Sequence, residues 1–188
     1  MAERTFGWIQ NPSSFENLKN VVSVFDFETD IHKDIIDRKI PELIRDKELR
    51  NNMLLEMHKR PLKMDYVLLK GHGISNGESR SNAKCSGIIQ AAIKNQKGRE
   101  YTDDWTADGF LRWAISIGLL DYDVESDQVS LTELGGMYIN SDSEEKDNEI
   151  LIFAFLSYPP AVRLLSLLES GEVLSKFELG KQLGGLGE

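Results

Sequence analysis

Three features of this 188-residue sequence predict a mainly α protein with a small β-hairpin, an α+β arrangement. Apolar residues recur at helical spacing over most of the chain, two short strand-like runs flank a polar turn, and Gly or Pro marks the breaks. Residues 1 to 12 read as an irregular arm that holds Gln10 and Asn11. Ser13-Ser14-Phe15-Glu16 carries a capping-box pattern, Ser13 as cap with Glu16 three residues on, and Phe15, Leu18, Val22 and Phe25 line one face of a first helix. Pro41 suits the first turn of a second helix, with Leu43, Ile44, Leu54 and Met57 inward and Pro61 at its end. A short apolar run, Tyr66 to Leu69, precedes a Gly-rich polar loop, Gly71 to Ser79. The third helix is expected from about Ser81 to Gln96, with Ile88, Ile89, Ala92 and Ile93 inward and Lys84 and Lys94 outward.

The next stretch is the most informative. Asp104 or Thr106 is expected to accept from free N–H groups at a helix start, after which Phe110, Leu111, Ala114 and Ile117 repeat at helical spacing until Gly118. Leu119 to Val124 and Val129 to Leu131 read as strands joined by Glu125, Ser126 and Asp127, and Thr132 is placed to cap a following helix. Helix, hairpin, helix is the order of a winged helix, in which the helix before the hairpin enters the DNA major groove. A small α+β module with no nucleic-acid role has the same signature. Beyond Gly136 comes an acidic stretch, Asp142 to Glu149, then apolar helical patterns at Ile150 to Leu156 and Ala161 to Leu168 separated by Pro159-Pro160, and a last one at Ser175 to Leu183. The expected division is an arm over 1–12, a winged-helix subdomain over 13–145, and over 146–188 the start of a second helix-turn-helix subdomain, cut short before its groove-filling helix.

A chain of this length buries about 70% of its unfolded surface. With 40% hydrophobic and 28% charged residues it is globular in composition. The lone Cys85 excludes an internal disulfide, and the longest apolar run is seven residues, against the ~20 that span a bilayer, so a reduced, cytoplasmic setting without a membrane partner is expected. The net charge of −9 opposes DNA binding unless it is unevenly spread. It is: residues 1–57 carry 8 basic and 11 acidic side chains, 58–101 carry 9 and 3, and 102–188 carry 5 and 17. A basic face over the middle block is therefore compatible with an acidic remainder.

Catalytic and metal patterns are thin. Asp26, Glu28 and Asp30 have calcium-loop spacing, but Ile31 stands where that loop needs Gly, so the three are expected to be solvated. Gly71-x-Gly73 lacks the rest of a phosphate loop, His32, His58 and His72 have no paired metal spacing, and Cys85 sits among apolar helix positions as a small buried hydrophobe. Trp8 and Trp113 are assigned to packing.

The run Arg4-Thr5-Phe6-Gly7-Trp8-Ile9-Gln10-Asn11-Pro12, followed by Phe15-Glu16-Asn17-Leu18-Lys19, resembles the start of the FokI-type type IIS restriction endonucleases. The likeness continues through Cys85-x-x-Ile88-Ile89-Gln90-Ala91, Trp105-x-x-Asp108-Gly109-Phe110-Leu111-Arg112-Trp113-Ala114 and Ser157-Tyr158-Pro159-Pro160-Ala161. This resemblance implies an asymmetric target site, GGATG-like, read in the major groove, and a chain holding the first recognition subdomain with the start of the second. It implies that Mg²⁺ and hydrolysis belong to a separate C-terminal domain, held by a Pro-Asp and an Asp/Glu-x-Lys element. No Pro-Asp occurs here, and Glu144-Glu145-Lys146 matches the second half only, so no catalytic residue, metal ligand or cofactor is expected in this chain.

By the same resemblance Gln10, Asn11, Arg80, Gln96 and Trp105 are the base contacts. Arg forks suit guanine O6 and N7, Asn and Gln amides suit adenine N6 and N7, and an indole can meet a thymine methyl. Lys84, Lys94, Lys97 and Arg99 are expected on phosphates. The partners implied are double-stranded DNA and the further recognition and cleavage domains; self-association through the C-terminal apolar helices is a further expectation. Two other readings stay open: a stand-alone winged-helix regulator on a palindromic site, and a protein-interaction module using the acidic C-terminal third.

Overall fold

The protein is described as a computed structural model covering residues 14–63, 87–93, 100–169, 171 and 174–184. Helix α1, Phe15–Ser23, is capped by Ser14, whose hydroxyl accepts from Asn17 N–H at 3.1 Å. The expected cap, Ser13, lies outside the described residues; with two serines in a row the pattern left the register open by one. Leu18, Val22 and Phe25 are buried, but Phe15 is half exposed.

Three short pieces then run on from one another: α2, Asp30–Asp34; a π-helical turn, Ile35–Lys39; and α3, Ile40–Leu43. Thr29 starts the run by accepting from His32 N–H. Pro41 stands in the first turn of α3, as expected, but α3 continues the preceding run and ends at Leu43 instead of going on to Met57. The π turn just before it has Ile40 N–H reaching Ile35 O, so the ladder is already widened where proline supplies no donor. Helix α4, Lys47–Met57, starts separately under Asp46, whose carboxylate accepts from Glu48 and Leu49 N–H.

Strand β1, Leu62–Lys63, was not foreseen. Helices α5, Gly87–Ala92, and α6, Asp104–Ser116, precede the hairpin strands β2, Leu120–Asp123, and β3, Gln128–Leu131. The sheet is antiparallel in the order β1-β3-β2, with Leu62 opposite Val129 and Leu120 opposite Leu131. Helix α7, Glu133–Ile139, begins under Thr132, which accepts from Gly135 N–H as expected. The chain is thus mostly helical with one small antiparallel sheet.

Helices α8, Glu144–Leu156, α9, Pro159–Glu169, and α10, Lys176–Gly184, complete the described chain. Ser143 caps α8, and Ser175 and Glu178 form a reciprocal capping box at the start of α10. The core joins α1, the π turn, α4, α5, α6, the sheet, α7 and the buried Leu151 and Ala154 of α8. Trp113 is its hub, with Phe15, Phe110 and Phe155 rings at 5.7, 5.9 and 6.1 Å, so its assignment to packing holds. Lys19 adds a polar tie to α8, donating to Asp147 at 2.9 Å and to the Ser141 hydroxyl at 2.9 Å. The outer face of α8 to α10 leaves Ile152, Phe153, Leu156, Val162, Leu165, Leu168 and Phe177 exposed. No single helix among the described residues is long and apolar enough to cross a membrane.

Candidate nucleic-acid interface

Helix α6 has one buried face and one open one. Ala107, Phe110, Leu111, Trp113, Ala114 and Ile117 point inward, the 3.6-residue pattern legible in the sequence. Its start is set by Asp103, one residue before the expected acceptors: one carboxylate oxygen accepts from Thr106 N–H at 2.9 Å and the other from the Thr106 hydroxyl at 2.9 Å. Thr106 is a donor here, not the cap. The next residue along the outer stripe, Trp105, keeps 44% of its surface exposed in the first turn.

One turn on from Trp105, a methyl group placed on Gly109 would have no atom within 4 Å, so the backbone is approachable there. Arg112 follows, its Nε donating to Asp108 at 2.8 Å, which neutralises both charges on the helix surface. The outer face of α6 therefore offers an indole, an open backbone and hydrogen-bonding groups, with little net charge. Any attraction for phosphate must come from the basic block before it.

The hairpin is no substitute. Asp121 and Asp123 of β2 and Glu125 and Asp127 of the turn make it acidic. Asp127 takes a left-handed backbone (φ 54°) and accepts from the Tyr122 hydroxyl at 2.8 Å. The Ser126 hydroxyl and Glu125 N–H, donating to Asp123, hold that carboxyl below its ordinary range. Its negative charge persists at any physiological pH.

Thr102, just before α6, is tied to α5. Thr102 N–H donates to Gln90 O at 3.1 Å and Gln90 Nε2 donates to Thr102 O at 3.0 Å, with both residues buried. Lys39, on the π turn, is only 4% exposed; its ammonium donates to Ala91 O at 2.5 Å and lies 3.7 Å from Asp34. Arg38 forks onto Asp34 at 2.7 and 2.9 Å, the main reason the Asp34 carboxyl is held low, and reaches Glu100 at 3.1 Å. Neither Lys39 nor Gln90 carries a sequence signal of burial, because a lysine and a glutamine on helices are ordinarily solvated.

A second polar cluster is built around His32. His32 is buried, its Nδ1–H donating to Val24 O at 2.6 Å, and burial lowers its pKa. Phe27 meets the His32 ring edge-on at 5.2 Å and carries the Arg60 guanidinium at 3.6 Å. With Lys33, Ile36, Asp37 and His58 these two rings line a shallow cavity of about 330 Å³. Asp26 is partly covered, whereas Glu28 and Asp30 are solvated. Among the described residues no group of three or more His, Cys, Asp and Glu side chains is placed to hold a metal ion.

Of the residues expected to meet DNA, only Trp105 is described. Gln10, Asn11, Arg80, Gln96, Lys84, Lys94, Lys97 and Arg99 lie outside the described residues, as do Trp8, His72, Cys85 and the loop from Gly71 to Ser79.

A mostly helical fold with one small antiparallel sheet, and a helix α6 whose first turn presents an exposed indole, are the features to set beside known proteins. The chain belongs to the FokI recognition domain, subdomain 1, family, whose profile matches residues 4–141. It is 46% identical over 187 residues to the type II restriction enzyme FokI of Planomicrobium okeanokoites, an alignment covering 98% of this chain and 32% of that protein. With the type II restriction enzyme StsI of Streptococcus sanguinis it shares 28% identity over 189 residues, 97% of this chain and 30% of the relative. The structure of restriction endonuclease FokI bound to DNA matches with a TM-score of 0.78 and 42% identity, covering 95% of this chain and 31% of that one. A further structure of restriction endonuclease FokI matches with a TM-score of 0.78 and 40% identity, covering 95% of this chain and 30% of that one. The chain thus spans about a third of the length of these relatives.

Proposed function

We propose that this chain binds double-stranded DNA sequence-specifically, as the recognition part of a type IIS restriction enzyme. One observation carries the reading: a match at 42% identity over 95% of the chain to a FokI structure bound to DNA. The helix and strand order supports a winged helix, because α5 and α6 precede a hairpin whose inner strand pairs with a third strand from earlier in the chain. In this reading α6 lies in the major groove and Trp105 presses its exposed indole on a thymine methyl. Gln10, Asn11, Arg80 and Gln96 read the neighbouring base edges of a GGATG-like site, and Lys84, Lys94, Lys97 and Arg99 take phosphates. Residues 146–188 open a second recognition unit, and Mg²⁺-dependent hydrolysis is assigned to no residue of this chain. The setting that goes with this role is the interior of a bacterial cell.

Selection of bound sequences from a random duplex library, using the 188-residue chain, tests this. An asymmetric GGATG-like consensus is expected. A palindromic consensus would move the protein to the regulator class, and failure to bind any duplex at low salt would remove DNA from its function.

A further inference from the structure

Resting on the DNA reading above, we propose that Arg112 reads a guanine edge and that Asp108 is the positioning residue that holds it for the task. Both stand on α6, whose inward side is taken by Ala107, Phe110, Leu111 and Ala114. Counted from Trp105, Asp108 and Gly109 lie one turn on and Arg112 two turns on, so they share the open side of the helix. At ~1.5 Å per residue, Arg112 stands about 10 Å along the axis from Trp105. Base pairs are spaced by about 3.4 Å, so Arg112 meets a different pair from the one under Trp105.

What Arg112 can do there is set by its partner. Its Nε–H donates to Asp108 at 2.8 Å, with the arginine side chain 51% exposed and the aspartate 15%. An acidic residue four places before a basic one is the favourable order along a helix. With Nε–H committed to the helix, the two terminal nitrogens are left as the fork for a partner, and that fork spans guanine O6 and N7. The pair carries no net charge, so it adds nothing to the general pull on phosphate, which depends on unneutralised Lys and Arg. A hydrogen bond to a base edge needs donors in place and no net charge. Asp108 also restrains a long side chain before DNA arrives, which lowers the ordering cost of the contact. An exposed ion pair of this kind contributes little to stability, so its removal reports on binding and not on folding.

The double variant Asp108→Asn with Arg112→Met, made in the full chain, tests this because it removes the guanidinium and keeps the pair neutral. Affinity for the selected site is expected to fall about tenfold and preference at one G·C pair to relax, while scrambled-duplex affinity stays within about twofold of the parent and the salt slope is unchanged. Thermal melts should stay within a few degrees of the parent. Asp108→Asn alone supplies a second reading. It leaves a positive charge uncompensated, so scrambled-duplex affinity should rise severalfold, the salt slope should steepen by about one phosphate contact, and the ratio of selected over scrambled affinity should fall. Equal losses on both duplexes with a shallower slope in the double variant would make Arg112 a phosphate contact and overturn the proposal. An unchanged ratio in Asp108→Asn would remove the positioning role of Asp108. A parent chain with no sequence preference would overturn the DNA reading and this proposal with it. A parent that discriminates normally while the double variant keeps its ratio would overturn the guanine contact alone.

Discussion

Two glycines should answer the same substitution with opposite signs. Gly135 lies in α7, where an added methyl would sit 2.0 Å from Leu119 O and 2.9 Å from a Leu131 methyl. The nearer atom is backbone, already engaged by Thr132 N–H and Oγ, so it cannot swing aside as a side-chain tip would. Gly135→Ala must separate α7 from the start of the hairpin by more than 1 Å on the scale of ordinary contacts, an overpacking cost of about 1–3 kcal/mol. Relief of glycine's helix penalty returns roughly 0.5–1 kcal/mol, leaving a net loss of about 1–2 kcal/mol. Gly109, in the middle of α6, has open space at the same atom. There only the helix-propensity gain operates, and Gly109→Ala should stabilise by about 0.5–1 kcal/mol. Thermal melts followed by circular dichroism measure both. For a domain of this size Tm should drop by roughly 2–8 °C for Gly135→Ala and rise by about 1–4 °C for Gly109→Ala. Shifts of the same sign would refute the packing reasoning.

The same Gly109→Ala protein should bind the selected DNA site more weakly despite its higher Tm, because the methyl stands on the face offered to the groove; unchanged binding in a mobility-shift titration would move the DNA off that face. Trp105→Ala should lose about tenfold in affinity for the selected site while Tm falls by only a few degrees, and a loss confined to Tm would make the indole a packing residue. Arg80→Ala should relax preference at one G·C pair, whereas Lys94→Ala should weaken all duplexes and flatten the salt dependence; losses indistinguishable between the two variants would remove Arg80 from base reading. His32 is held below its ordinary 6.5 by burial, so the unfolded chain takes up the proton first. The stability this provides is present above about pH 6.5 and is lost as pH falls from there towards the folded-state value. An imidazole NMR titration with a midpoint at or above 6.5 would contradict that.

Local signals carried across from sequence to structure well. The inward residues of α6, the Gly118 stop, the hairpin and the Thr132 cap all depend on neighbours within a few positions, and each is where its pattern puts it. Caps were displaced by one residue where two acceptors stand side by side, at Ser13-Ser14 and Asp103-Asp104, because spacing alone does not choose between adjacent carriers of the same chemistry. Strand β1 escaped because two residues have no period, and its partner Val129 is far away in sequence. The helix opening at Pro41 stops at Leu43 and α4 starts afresh under Asp46, a break that no Gly or Pro marks in the sequence and that the extended backbone of Ile44 makes. Of the candidate site, the exposed indole was legible as an aromatic at a helix start. The buried Lys39 was not, since its carbonyl partner is brought to it only by the fold.

The four carboxylates of the hairpin bear on how binding energies should be read from ionic strength. A duplex lying on α6 would feel pull from the lysines and arginines of the middle block and push from Asp121, Asp123, Glu125 and Asp127 at once. Added salt weakens both. The slope of log K against log salt, which otherwise counts neutralised phosphates at about 0.9 per contact, would then come out too shallow, and neutralising the hairpin should steepen it while raising affinity.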